Sequence, residues 1–213
     1  MKKLLALILA LVMMLTFVAC GSKEEVKDDT TNDVTGDTED TGKTEDPAPA
    51  GLKDVADAPI DILNNIWNKV PEDNRFFVGG GDAENSVMGG AGLVKDPAAF
   101  QFPYLIPESE VSKIDNAASI MHGMIVNNFA AIALHYTNKA DVEASAKAIE
   151  ESYTTARWDC GFPERLYIVQ IGNETIVAMR GLNDALNVFI PAISEAYSAD
   201  SIKVLFDAPV ALG

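Results

Sequence analysis

Two histidines, His122 and His135, are the only imidazoles in the chain. The runs that contain them predict two strands separated by Asn127–Asn128, a pair that tolerates the left-handed conformation of a tight turn. A two-residue turn places His122 opposite Ala133, so both imidazoles lie on one sheet face as diagonal neighbours. Such neighbours can approach a common ion, although the spacing provides no third ligand. The alternatives are a metal-binding or proton-linked pair and two hydrogen-bonded histidines within a sheet.

A glycine-rich segment that includes Gly80, Gly81 and Asp82 is the candidate ligand-binding loop, because glycine lets the backbone approach a ligand closely. It matches neither the phosphate-binding P-loop nor the dinucleotide fingerprint. It also lacks the further ligands of a calcium-binding EF-hand. The segment is therefore either a loop that contacts a ligand or a tight structural turn. No Gly-x-Ser-x-Gly motif occurs, and we expect no catalytic residues and no cofactor.

The chain has two cysteines, Cys20 and Cys160. Cys160 is the last residue on the apolar stripe of a predicted helix, at the helix C-terminus, where the helix dipole disfavours a thiolate. We expect a buried structural thiol there, and a reactive thiol is the alternative. No Cys-x-x-Cys motif is present, so the redox chemistry of paired thiols is not expected.

The first residues have the pattern of a lipoprotein export signal. Lys2 and Lys3 precede Leu4–Ala19, a 16-residue segment that is apolar except for Thr16. That length is below the roughly 20 residues of a spanning helix. Cys20 follows Ala19 at the position that a lipobox reserves for the acylated cysteine. The sequence predicts a signal peptide over 1–19, a diacylglycerol and palmitate anchor on Cys20, and a location on the outer face of the cytoplasmic membrane.

An acidic segment separates this cysteine from the rest of the chain. Residues 23–50 contain ten Asp or Glu, three Lys and no aromatic residue. Such a composition cannot bury enough apolar surface to fold, and it predicts that 20–50 is a disordered tether. The whole chain has a formal charge of −16, which argues against a nucleic-acid partner and permits a cationic one.

Residues 51–213 predict one globular domain. A helix is expected from about Asp57 to Val70, followed by an irregular glycine-rich region and a short helix after Pro107. Two units come next, each a hairpin followed by a helix. The second hairpin covers 165–180 and the last helix covers 183–197, where Pro191 kinks or splits it. A final strand covers 202–206. This order predicts an α+β fold, in which an antiparallel sheet of two hairpins carries two helices on one face.

The chain resembles a group of clostridial-type Gram-positive surface lipoproteins of unknown function, some of which are labelled bacteriocin transport accessory protein. The resemblance covers about residues 60–200, and it depends on Asn64–Trp67, Gly80–Ala83, Asp115–His122 and Trp158–Pro163. The label implies a thiol-redox helper, but the paired thiols for that role are missing. The resemblance carries over no catalytic residue.

These observations predict a membrane-anchored, extracytoplasmic binding or accessory module that is not an enzyme. Its partner is the membrane, through the lipid, and in addition an unidentified protein, peptide or small molecule. The alternatives are an accessory factor for peptide or bacteriocin export and a metal-binding protein that uses His122 and His135.

Overall fold

A computed structural model describes residues 51–124, 128–158 and 162–210. The chain divides into two compact units, Met1–Asp46 and Pro47–Gly213, and all described residues belong to the second unit. The predicted signal peptide, Cys20, the whole tether, Asn127 and Cys160 lie outside the described residues. Their predictions stay predictions.

Five α-helices occur in the described ranges: α1 Pro59–Lys69, α2 Pro97–Gln101, α3 Glu108–Val111, α4 Val142–Thr155 and α5 Asn183–Ala196. The predicted helices after Asp57, after Pro107 and over 183–197 are confirmed. Proline occupies the first turn of α1, where its missing N–H costs no hydrogen bond. No helix in the part of the chain that the structure describes is both long and apolar enough to span a bilayer.

The strands are β1 Val78–Gly80, β2 Val87–Met88, β3 Gly92–Leu93, β4 Ile114–His122, β5 Phe129–Tyr136, β6 Arg165–Ile171, β7 Thr175–Gly181 and β8 Ile202–Pro209. They form one antiparallel sheet in the order β2-β1-β4-β5-β7-β6-β8, and β3 pairs with β4 beside β1. The α+β class and the final strand are confirmed, and β4–β5 and β6–β7 each form an antiparallel pair.

The sheet is covered on both faces, and the prediction of helices on one face is wrong. Ala131 and Ala133 of β5 pack with α1 and α5, whereas the alternate residues Ile132 and Leu134 pack with α4. Strands β5 and β7 consist of buried residues almost throughout. A strand without a polar face cannot leave one side in water, and a second helical layer is therefore required.

Two further details of the helices differ from the prediction. Helix α5 continues unbroken through Pro191. Pro191 and Asn187, whose carbonyl loses its helical donor, are both exposed, so water can solvate that carbonyl. Helix α4 ends at Thr155, and Ala156 is already extended, so the predicted apolar stripe does not reach Cys160 as helix.

Candidate functional site

The two histidines lie at opposite ends of the β4–β5 pair. Met121 pairs with Ala130 and Asn116 pairs with His135, so each β5 partner comes four residues earlier than a two-residue turn requires. The prediction that the imidazoles are diagonal neighbours is wrong, because the connection between β4 and β5 is longer than two residues. No group of three His, Cys, Asp or Glu within the described ranges is arranged to hold a metal ion.

His122 packs near the end of β4 that leads into this connection. Its ring stacks on Phe76 with the ring centroids 4.8 Å apart, and the backbone N–H of Met124 donates to Nδ1 at 2.9 Å. Burial lowers the pKa of the His122 imidazole. These contacts give His122 a packing role in the sheet.

The glycine-rich loop is organised around the buried carboxylate of Asp82. Its Oδ1 accepts hydrogen bonds from the backbone N–H of Glu84 and from both the backbone and the side-chain amide of Asn85. Its Oδ2 accepts from the backbone N–H groups of Lys95 and Asp96 at 2.6 and 2.9 Å. Burial raises the pKa of Asp82, but these five donors outweigh burial and hold the pKa well below its ordinary value.

Gly80 and Gly81 allow the same loop to pack closely against the sheet. A side chain at Gly80 would collide with the carbonyl oxygen of Ser119 and lie 2.6 Å from the backbone nitrogen of Gly92. Gly81 has a φ of 91°, and its N–H donates to the Ser119 hydroxyl at 3.0 Å. The donors and acceptors of this loop are therefore directed into the protein, which favours the structural turn over the ligand-contacting loop.

A cluster of ionisable side chains surrounds His135 at the other end of the β4–β5 pair. The β4 register shifts between Ile114 and Asn116, which leaves Asp115 as an extra residue. Its Oδ1 lies 2.6 Å from Nδ1 of His135, and Oε2 of Glu174, from the β6–β7 turn, lies 3.5 Å from Nε2. All three side chains are partly exposed, and the imidazole is held between two carboxylates.

This cluster forms one wall of a cavity of about 400 Å³ that we call the acidic cavity. The opposite wall is the segment 54–59, which leads into α1 and includes Val55, a residue that packs against the α1 and α5 side of the sheet. Four carboxylates line the cavity (Asp54, Asp57, Asp115 and Glu174), and the lining contains no Lys or Arg. The cavity therefore offers an environment for positive charge.

Asp57 is held in place by two residues that lie outside the lining of the acidic cavity. Its Oδ2 accepts from the hydroxyl of Tyr197 at 2.9 Å and from the side-chain amide of Asn65 at 3.0 Å. Burial raises the pKa of Tyr197, and its hydrogen bond to Asp57 raises it further. The phenol thus stays protonated and donates to Asp57, which fixes this carboxylate at the edge of the acidic cavity.

A second cavity of about 560 Å³ lies on the α4 side of the sheet, and we call it the apolar cavity. The name refers to the apolar side chains in its lining, which also contains the polar residues Lys95, Asp115 and Asn116; the apolar ones are Leu93, Val94, Pro97, Phe100, Val111, Ile114 and Ala117. Lys95 is the only cationic residue in the lining. Asp115 and Asn116 line both cavities, so the first residues of β4 form the partition between them.

Arg180 is a third candidate, since it is a buried cation on β7. Its guanidinium donates to the Asn128 side chain at 2.7 Å and to the Pro103 carbonyl at 2.8 Å, and it lies 4.8 Å from the centre of the Trp158 ring. Burial lowers the pKa of Arg180. Two chain segments and an aromatic ring are thereby tied to β7, and Arg180 lines neither the acidic nor the apolar cavity.

The residues of the acidic cavity other than His135 were missed in the sequence. Asp115–Asn116 is a polar pair directly before the apolar run of β4, and Asp54 and Asp57 precede α1. Polar residues are common at the ends of helices and strands. They indicate a binding site only when the fold brings several of these ends together. Comparisons of the chain with protein-family models, with curated proteins and with solved structures found no match.

Proposed function

We propose that this protein is a lipid-anchored, extracytoplasmic binding protein whose acidic cavity takes a cationic ligand. The anchor is supported by the export signal and by Cys20 at its end. The ligand class is supported by one observation above all: four carboxylates and a single imidazole line a cavity without Lys or Arg. An ammonium or guanidinium group is the complement of that lining.

The geometry favours binding over catalysis. The lining of the acidic cavity has no hydroxyl or thiol for His135 to activate, and both ring nitrogens of the imidazole lie beside carboxylates. Exposed ion pairs contribute only about 0.2–1 kcal/mol each, so a ligand must reach several of the carboxylates at once to bind measurably. Binding of this kind weakens as salt screens the charges.

The test is a calorimetric titration of the full-length lipidated protein, held in nanodiscs, with arginine amide and with citrulline amide, both acetylated on the α-nitrogen so that neither carries an α-ammonium charge. The citrulline side chain then has nearly the same shape as the arginine side chain without its charge. We expect binding of arginine amide that weakens at higher salt, no measurable binding of citrulline amide, and loss of binding in Glu174→Gln. Glu151→Gln is the matched control, because Glu151 is an exposed carboxylate on α4, on the other side of the sheet. Equal binding of the two amides, or none of either, would refute the proposal.

A further inference from the structure

Within the described residues, no strand pairs with the outer edge of β4 at its beginning, over Ile114–Asn116. Among the described strands, β3 reaches only Ala118 and Ser119 on this edge. The last contact is the hydrogen bond from the Val94 N–H to the Ala117 carbonyl at 2.9 Å. Beyond it the chain turns away, because the next two N–H groups, of Lys95 and Asp96, bind the carboxylate of Asp82. An open edge of this kind can pair with an added strand.

The two cavities flank this edge from opposite faces of the sheet. Val94, Phe100 and Ala117 of the apolar cavity belong to the core on the α4 side. Val55 of the acidic cavity packs against the core on the α1 and α5 side. Successive side chains of a strand point to opposite faces. A strand added beside Ile114–Asn116 would therefore direct alternate side chains into the acidic and the apolar cavity.

We propose that the ligand is an extended peptide in which basic and apolar residues alternate, and that it adds to the sheet along the Ile114–Asn116 edge of β4. This inference rests on the proposed function, since the basic side chain occupies the acidic cavity. The neighbouring apolar side chain occupies the apolar cavity, where Lys95 offsets the single carboxylate, Asp115, so a second cation gains less there than in the acidic cavity. Main-chain hydrogen bonds give affinity and the two cavities give the sequence preference. Because Asp115 is the extra residue of the register shift, this edge has two regular positions, Ile114 and Asn116, which accommodate roughly 7 Å of peptide.

The experiment uses acetyl-Leu-Lys-Leu-Lys-Leu-amide and the full-length lipidated protein in nanodiscs. Two isomers carry backbone N-methyl groups on alternate amides, so that one isomer blocks the N–H groups facing β4 and the other blocks those facing away. We expect one isomer to lose about tenfold or more in affinity while the other binds nearly as well as the parent. A peptide of the same composition with its two lysines adjacent should also bind more weakly, because one lysine then faces the apolar cavity.

Arginine amide separates the two proposals. If arginine amide binds but the two N-methylated isomers and the adjacent-lysine peptide all match the parent, strand addition is wrong and the acidic cavity stands. If neither arginine amide nor any peptide binds, both proposals fall. The variant Lys95→Glu provides a further check, because it should improve the binding of the adjacent-lysine peptide relative to the alternating one. If the ratio of the two affinities stays unchanged, the assignment of apolar side chains to the apolar cavity is contradicted.

Discussion

Oδ1 of Asp115 lies 2.6 Å from Nδ1 of His135, although the two residues are not paired in the sheet. His135 pairs with Asn116, and Asp115 is the extra residue at the register shift in β4. The irregularity therefore places a carboxylate beside an imidazole and at the same time at the partition between two cavities. Register shifts of this kind commonly re-aim a side chain at functional positions.

We predict that Asp115→Asn separates stability from binding. The two side chains are 48% and 31% exposed, and ion pairs at such exposure contribute about 1 kcal/mol or less. Urea denaturation should show a change in unfolding free energy within that limit, whereas calorimetry should show loss of arginine amide binding. A large loss of stability would instead assign Asp115 a structural role.

We predict that Asp82→Ala destabilises the protein by about 3 kcal/mol at neutral pH, because it leaves five hydrogen-bond donors without their acceptor. The folded pKa of Asp82 lies below its ordinary value of 3.8. Its contribution is therefore complete above that value and is lost as the pH falls through the folded pKa.

Urea denaturation at pH 7 and pH 3 measures both effects. The variant should lose less stability than the wild type between the two pH values. Asp73→Ala is the matched control, because Asp73 is an exposed carboxylate in a 3-10 turn. An Asp82 variant as stable as this control would contradict the role of Asp82 in closing the loop.

We predict that Gly80→Ala is far more damaging than Gly89→Ala. A methyl group at Gly80 meets the backbone of Ser119 and Gly92, and neither can move without disturbing the sheet. At Gly89, whose φ is 85°, nothing lies within 4 Å of the added carbon. The Gly89 variant should lose only the roughly 1–2 kcal/mol of a left-handed residue. Thermal unfolding of the two variants checks the order, and similar losses would refute the close approach at Gly80.

We predict that Arg180→Lys costs about 1–2 kcal/mol although the charge is kept, because a lysine cannot donate to Asn128 and Pro103 in the same planar geometry. The contact with the Trp158 ring weakens as well. Denaturant unfolding gives the stability loss, and tryptophan fluorescence reports the change around Trp158. Arg157 precedes Trp158 in the chain and takes no part in these contacts, so Arg157→Lys should leave the unfolding free energy nearly unchanged.

We predict that Cys20→Ser abolishes lipid attachment while Cys160→Ser does not. Cys20 is the only cysteine at the end of the apolar leader, and acylation requires its sulfur. Metabolic labelling with an alkyne fatty acid, followed by mass spectrometry of the N-terminal peptide, measures the modification. Labelling that persists in the Cys20 variant, or an unmodified native N-terminus, would overturn the anchored location.

Local sequence patterns were sufficient to predict much of the fold. Helix α1 could be predicted because its apolar residues recur with helical spacing, as in Leu63, Ile66 and Trp67, and a proline marks its start. The β6–β7 hairpin was readable from two β-branched runs on either side of Gly172, whose φ is 65°. In both cases the information lies within one or two elements, where periodicity and turn chemistry act directly.

The sheet faces and the β4–β5 register needed the tertiary structure. An apolar strand such as β5 shows that it is buried but does not show which helix covers which side. Register depends on how many residues the connection uses, and a change of four residues keeps every β5 side chain on its face while moving His135 from Ile120 to Asn116. The hydrophobic pattern cannot distinguish two registers that bury the same residues.

By itself, the sequence determined the α+β class, the principal helices and hairpins, and the acidic character of the chain, because these follow from composition and short-range spacing. Only the tertiary structure decided that Asp57, Asp115, His135 and Glu174 meet around one cavity. Those residues come from a loop, a strand irregularity, a strand and a turn that are far apart in the chain. Their proximity is fixed by the packing of the whole sheet, which no local pattern encodes.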